Sequence, residues 1–519
     1  MRTTGRLSCA VSIVLSIATA AFAQGRGGGA WTTVGADAQR TASLRSDPKI
    51  SVASMQKPGF QFLWKRKLDT QPLTQPLILP NIIAYKGFKA LAFVASASGG
   101  VYSIDYELNR MFWEQKPTAP PASGTAACAS RLPAITRVTP LAPPVASARG
   151  AGGAGGGGGR GRGAAGPQIA NGRGGNDNLF VIGRDGLVHV MNPQAGTDQI
   201  PPVKFIPPNA NVSGSILVDN VLYATTTGNC GKVPNGVWAI DLAAETKPVT
   251  SYDAKGAAVA GDAAPTFGTD GTVYVATGTG SSPVANAIVA LEARTLAQKN
   301  WFSAGASPFT SHPIVFQHKG KDLVMAANKD GRLYVLDSGA MGGADHATPL
   351  HRTEPLGTGS AVVSALATWQ DQDGTRWLVA AVDGTLSGGP RFPMNNGTVS
   401  KGAVAAFTVV DQNDVPTLQP QWVSHDLASP VAPAVVNGVV FALAGGSSRG
   451  GATAGPQKVQ PSSGAVLYAL DGATGKELWT SGTTIASPVH GVGPSAGDSQ
   501  VYVVTRDGTL YTFGMPAER

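Results

Sequence analysis

A β-propeller, a closed ring of eight four-stranded antiparallel sheets, is the fold class that the 519-residue sequence predicts, and three observations carry it. Composition is the first: 67 residues are Gly and only 14% are charged, against a usual charged share of about 25%. Few Glu and Lys among much Gly, Val, Thr and Ala starves helices and suits strands joined by tight turns. The second is a phrase that recurs along the chain: a β-rich run, Asp-Gly or Gly-Gly, a second run ending near Asp, and often a Trp after it. The third is that the two ends of the chain complement one another. A helical bundle, a coiled coil and a highly charged disordered chain are excluded.

Taken in order, the chain opens with Arg2 and Arg6 before an apolar run, Leu7 to Phe22, closed by Ala21-Phe22-Ala23. That pattern reads as a signal peptide, residues 1–23, cut before Gln24, and places the mature chain in the periplasm or outside the cell. No later stretch approaches the ~18 uninterrupted apolar residues of a transmembrane helix. The propeller occupies 24–519. Its copies run from Phe93 through Gly99-Gly100 to Trp113, Leu179 through Asp185-Gly186 to Met191, Leu222 to Asp241, and Val273 to Trp301. They continue from Leu323 through Asp330-Gly331 to Asp337, Leu378 to Trp422, Val466 to Trp479, and Val501 through Asp507-Gly508 to Phe513.

Asp-Gly pairs suit hairpin turns that need φ > 0, and the flanking alternation sets every second side chain against a neighbour. One such sheet cannot bury both faces alone, so copies spaced by about 40–60 residues stack radially, with the Trp packed between blades. The last copy ends at Phe513 without its outer strand. The segment Phe60 to Leu68 has the alternation to supply it, and pairing it there removes an exposed sheet edge.

Two inserts break the pattern: 140–176, rich in Pro, Ala, Gly and Arg, and a milder Gly/Ser/Pro stretch at 445–464. Both are expected to be disordered surface loops. Losing the two arginines of residues 1–23 lowers the formal charge from +8 to +6, and Arg26, Arg149, Arg160, Arg162 and Arg173 carry five of those charges in Gly-rich sequence. The folded body is close to neutral, with no basic stripe interleaved with aromatics, so nucleic acid is not an expected partner. Cys128 and Cys230 remain after cleavage, an even pair able to close one disulfide in an oxidising compartment. No haem or zinc cysteine motif is present. The spacings His312/His318 and His346/His351 match no metal pair, which leaves these side chains surface or hydrogen-bonding roles.

The phrase Ala-Leu-Asp-Gly-Ala-Thr-Gly-Lys-Glu-Leu-Trp at 469–479 resembles the tryptophan-docking repeat of the quinoprotein, PQQ-binding-like propeller superfamily. Residues 31–50, from Trp31 to Ile50, and 62–69 are similar to the opening of quinoprotein alcohol dehydrogenases. The superfamily includes dehydrogenases that use pyrroloquinoline quinone (PQQ) with calcium, and non-catalytic scaffolds, one branch of which serves outer-membrane protein assembly. For a dehydrogenase the resemblance implies Asn229, in the Thr-Gly-Asn segment, as a calcium ligand, and Asp262 as the catalytic base.

Other expected positions are empty. No Glu lies between Glu114 and Glu245, no Trp between Trp113 and Trp238, and no two cysteines are adjacent. An Asp such as Asp219 can stand in for the Glu, but nothing replaces both stacking partners of a flat cofactor. The sequence therefore points to a binding or scaffold protein with no cofactor, holding a protein partner or small ligand at a propeller face. The alternative is a divergent PQQ- and calcium-dependent dehydrogenase of alcohols or sugars. The oligomeric state is not written in the sequence.

Overall fold

The computed structural model describes residues 30–84, 87–116, 132–141, 178–357, 362–386, 388–446 and 463–516. The signal segment 1–23, Cys128 and most of both inserts (142–177 and 447–462) lie outside the described residues. Eight antiparallel sheets follow one another in chain order, with inner strands Leu77–Ala84, Ala134–Arg137, Val212–Val218, Thr266–Phe267, Ile314–His318, Val362–Gln370, Ala434–Val436 and Ser495–Gly497. We number these blades 1 to 8. Blades 6 and 7 each gain a fifth strand beyond the expected four. Met394–Asn395 runs parallel to the outer strand of blade 6, and Ser43–Leu44 parallel to the inner strand of blade 7.

The repeat phrase has a local cause at each turn. Between the second and third strands, Gly186, Gly331 and Gly508 adopt φ of 79°, 72° and 79°, and a Cβ on Gly186 would fall 1.8 Å from the Ile206 carbonyl oxygen. The Asp that ends the third strand folds the next turn with its own carboxylate: Oδ1 accepts the backbone N–H two residues on at Asp241, Asp337 and Asp471. This is an Asx turn, which explains why Asp recurs there.

Tryptophans of several outer strands fasten one blade to the next. Trp113 of blade 1 donates to the Pro193 carbonyl of blade 2 at 2.8 Å, and Trp422 of blade 6 to Gly472 of blade 7 at 2.8 Å. Trp301 of blade 4 stacks on His346 of blade 5 at 3.6 Å. Closure follows the expected route. Gln61–Lys67 pairs antiparallel with Thr509–Gly514, Phe62 opposite Phe513, and Trp64 donates to the Tyr106 carbonyl of blade 1.

The opening segment does something the alternation did not reveal. Residues 31–47 thread round the axis and touch the blades in numerical order. Backbone N–H groups of Ile78, Arg137, Phe267, Val315, Thr368 and Val435 donate to the carbonyls of Trp31, Thr32, Ala38, Gln39, Thr41 and Ala42. Thr33 Oγ1 donates to the Ser215 carbonyl of blade 3, and Asp47 accepts Ser499 N–H of blade 8. The segment satisfies inner-edge backbone groups that would otherwise face the axis without partners. Arg40 pins it. Fully buried, its guanidinium donates to Thr33 Oγ1 at 2.7 Å, to the Pro265 carbonyl at 3.0 Å and to the carbonyls of Val34 and Ser215.

Candidate functional site

On the axis, above the threaded segment, lies a cavity of about 730 Å³, within the usual range of about 300–1,000 Å³ for small-molecule sites. Val34, Gly35 and Ala42 form its floor, and its wall is built mainly from the residues that lead into the inner strands. Gln75 stitches wall to floor: Oε1 accepts from Trp31 Nε1 and Gly35 N–H, while Nε2 donates to the Gly493 and Pro494 carbonyls. Apolar contact comes from Val212, Leu366, the Pro430–Pro433 stretch, Val489 and Val492.

Four titratable side chains face this space: Asp262, His312, Asp383 and His490. Asp262 lines the cavity and is exposed to it, with no hydrogen-bond or ion-pair partner among the described residues. Burial alone pushes its carboxyl above the ordinary range. Its Oδ2 lies 3.9 Å from where a Cβ on Gly491, in the loop leading into blade 8, would be. His312 is 7% exposed and its Nδ1 is buried without a partner. Burial first, and then the nearby Arg40 charge, lower its pKa to about 3, so the ring is neutral at physiological pH. The segments carrying Asp262 and His312 pack closely because Gly261 (φ 76°) leaves room: a Cβ there would sit 2.2 Å from the His312 backbone nitrogen. His490 is also lowered, by burial and by Arg506.

The structure thus places Asp262, singled out from the sequence, at the cavity. Asn229 sits nearby in chain order, two residues after the lining residue Thr227, but is not itself among the lining residues. It is exposed, left-handed (φ 50°), and its backbone N–H donates to Asn235 Oδ1. Asp219 follows the far end of the strand whose start lines the cavity, in a turn, and so cannot stand in for a missing ligand there. Cys230 is buried in the turn after Asn229.

Of the histidines, His318 is hydrogen-bonded to Asp411 at 2.9 Å, as its spacing allowed. His312 departs from the surface or hydrogen-bonding role expected of it. It precedes Pro313 at the entry to a short inner strand, and no local pattern marks that position as facing the axis.

These residues fit a quinone poorly. PQQ is flat and carries three carboxylates, so it needs rings to stack on and cations to meet it. Among the described residues the lining holds no Trp, Tyr, Phe, Lys or Arg, and no group of three His, Cys, Asp or Glu side chains is placed to hold a metal. Arg40, directly below, spends its donors on the threaded segment.

Ring, repeat and closure together make this an eight-bladed β-propeller. Residues 362–515, blades 6 to 8, match the family described as outer membrane protein assembly factor BamB. Over nearly its whole length the chain is similar in fold to a europium-containing methanol dehydrogenase, with 13% identity, TM-score 0.58, and 94% of this chain and 99% of the other covered. The quinohemoprotein alcohol dehydrogenase of Comamonas testosteroni gives 14%, 0.53, 95% and 81%, and ADHIIG of Pseudomonas putida 13%, 0.57, 95% and 81%. No curated protein matches the sequence. No helix among the described residues is long and apolar enough to cross a membrane.

Proposed function

We propose that the chain is a periplasmic or secreted binding protein: a rigid ring that holds a small ligand or a protein partner at its axial face, without quinone chemistry. The observation that carries this reading is the lining itself, a formed cavity of ligand size whose described residues supply neither the aromatic floor nor the cations a quinone tricarboxylate requires. The match of blades 6 to 8 to an assembly-factor family supports a role in holding partners. The amino-terminal 23 residues carry the export, and Cys128 with Cys230 form a disulfide in that compartment. Peptide mapping of the unreduced mature protein tests the pairing, and a free thiol at either position refutes it.

A second reading rests on Asp262. An unpaired carboxylate on the axis, its pKa raised by burial, is what a general base for alcohol oxidation requires. In that reading the chain is a divergent PQQ- and calcium-dependent dehydrogenase with Asn229 as a calcium ligand. A dye-linked oxidation assay over alcohols and sugars, with PQQ and Ca²⁺ supplied to residues 24–519, separates the two. The binding-protein reading expects no PQQ-dependent turnover. Turnover that is lost in Asp262→Asn establishes the dehydrogenase instead.

A further inference from the structure

The lining residues also say what kind of ligand the cavity takes, granted the binding-protein reading. We infer that the axial cavity binds an organic cation, its ammonium head set against Asp262 and His312 and its apolar body against the Pro430–Pro433 and Val489–Val492 walls.

Charge decides the class. The described lining contributes two carboxylates, Asp262 and Asp383, and no Lys or Arg. An anion brought there meets like charge in a partly desolvated space, while a cation supplies the partner that Asp262 lacks. His312 adds no positive charge, because burial, reinforced by the nearby Arg40 charge, keeps the ring neutral.

Position supports the same choice. Asp262 Oδ2 lies 3.9 Å from where a Cβ on Gly491 would be, so the carboxylate stands where loops of blades 4 and 8 meet at the cavity. His312, more than nine-tenths buried, leaves Nδ1 without a partner beside it. Unsatisfied buried polar groups are rare, and His312 Nδ1 is one on the same lining as the exposed, unpaired Asp262 carboxylate, so a cationic donor there completes hydrogen bonding that the protein leaves open. The Pro430–Pro433 stretch with Val489 and Val492 offers an apolar face for a hydrocarbon body, beside a polar face that includes Asn211, Ser213 and Ser364.

The test uses three probes with the same aryl-alkyl body and different heads: phenethylamine, phenethyl alcohol and hydrocinnamate. Each is titrated calorimetrically into residues 24–519 and into Asp262→Asn at neutral pH. The inference expects phenethylamine to bind at least about tenfold more tightly than either of the others, as a desolvated charge pair affords. It expects Asp262→Asn to lose that preference while melting no lower than the parent, since the change removes an unpaired charge. Equal binding of the alcohol, preference for hydrocinnamate, no binding by any of the three, or an unchanged preference in Asp262→Asn overturns it. Failure here leaves the broader reading standing. That reading falls only if PQQ binds with calcium, whichever probe is preferred.

Discussion

Replacing Arg40 with Ala tests whether the threaded segment holds the ring together. The guanidinium is fully buried and is the donor to the carbonyls of Val34, Pro265 and Ser215 and a partner of Thr33 Oγ1. The Ser215 carbonyl keeps the Thr33 hydroxyl, so two carbonyls, Val34 and Pro265, lose the side-chain donor that satisfied them. Each stranded buried acceptor costs about 1–3 kcal/mol, giving about 2–6 kcal/mol for the pair. Loss of one side of a buried charged network falls in the same range, about 3–5 kcal/mol. Arg40→Lys recovers only part of this, because one ammonium cannot span acceptors on three segments. Urea unfolding followed by tryptophan fluorescence measures the loss as a shift of midpoint at constant slope. A loss below about 1 kcal/mol for Arg40→Ala refutes the claim that this side chain pins the segment.

Other expectations follow from the same contacts. Removing residues 24–68 takes away both the threaded segment and the strand that closes blade 8, and it should lower the melting temperature of the whole ring; an unchanged value contradicts the closure. Trp422→Ala empties a fully buried site between blades 6 and 7 and should cost about 3–5 kcal/mol by chemical denaturation. Asp262 has a raised carboxyl, so its contribution to stability is full below the ordinary Asp value of about 3.9 and is lost as pH rises through the folded value. Asp262→Asn should therefore be more stable than the parent at neutral pH, with the gap closing toward pH ~4. His312 titrates in the opposite sense. With its pKa lowered to about 3, its contribution is full above about 6.5 and lost as pH falls toward the folded value, and His312→Gln should flatten that acid limb of the stability profile.

What the sequence displayed was what repeats. Each hairpin Gly, each Asx-turn Asp and each outer-strand Trp acts within one blade or on the next, so its signal recurs and can be read locally. Closure was legible for a similar reason, since Phe60–Leu68 carries a strand's alternation with no local partner. The path of residues 31–47 was not, because its hydrogen bonds reach eight separate blades and its sequence shows no periodicity. The site was half legible. Asp262 emerged from family resemblance, whereas His312, Asp383 and His490 come together only because separate blades bring them to one axis. Asn229 shows the limit of transfer by motif: the Thr-Gly-Asn match is preserved, yet Thr227, two residues earlier, is the one that lines the cavity.

The central claim is that the axial cavity is a binding site that does not accommodate a quinone. Its most direct test is titration of residues 24–519 with PQQ, with and without Ca²⁺, followed by absorbance and melting temperature. The account predicts no calcium-dependent change in either signal. A saturable, calcium-dependent shift at micromolar PQQ or below would contradict it and make the dehydrogenase reading the leading one.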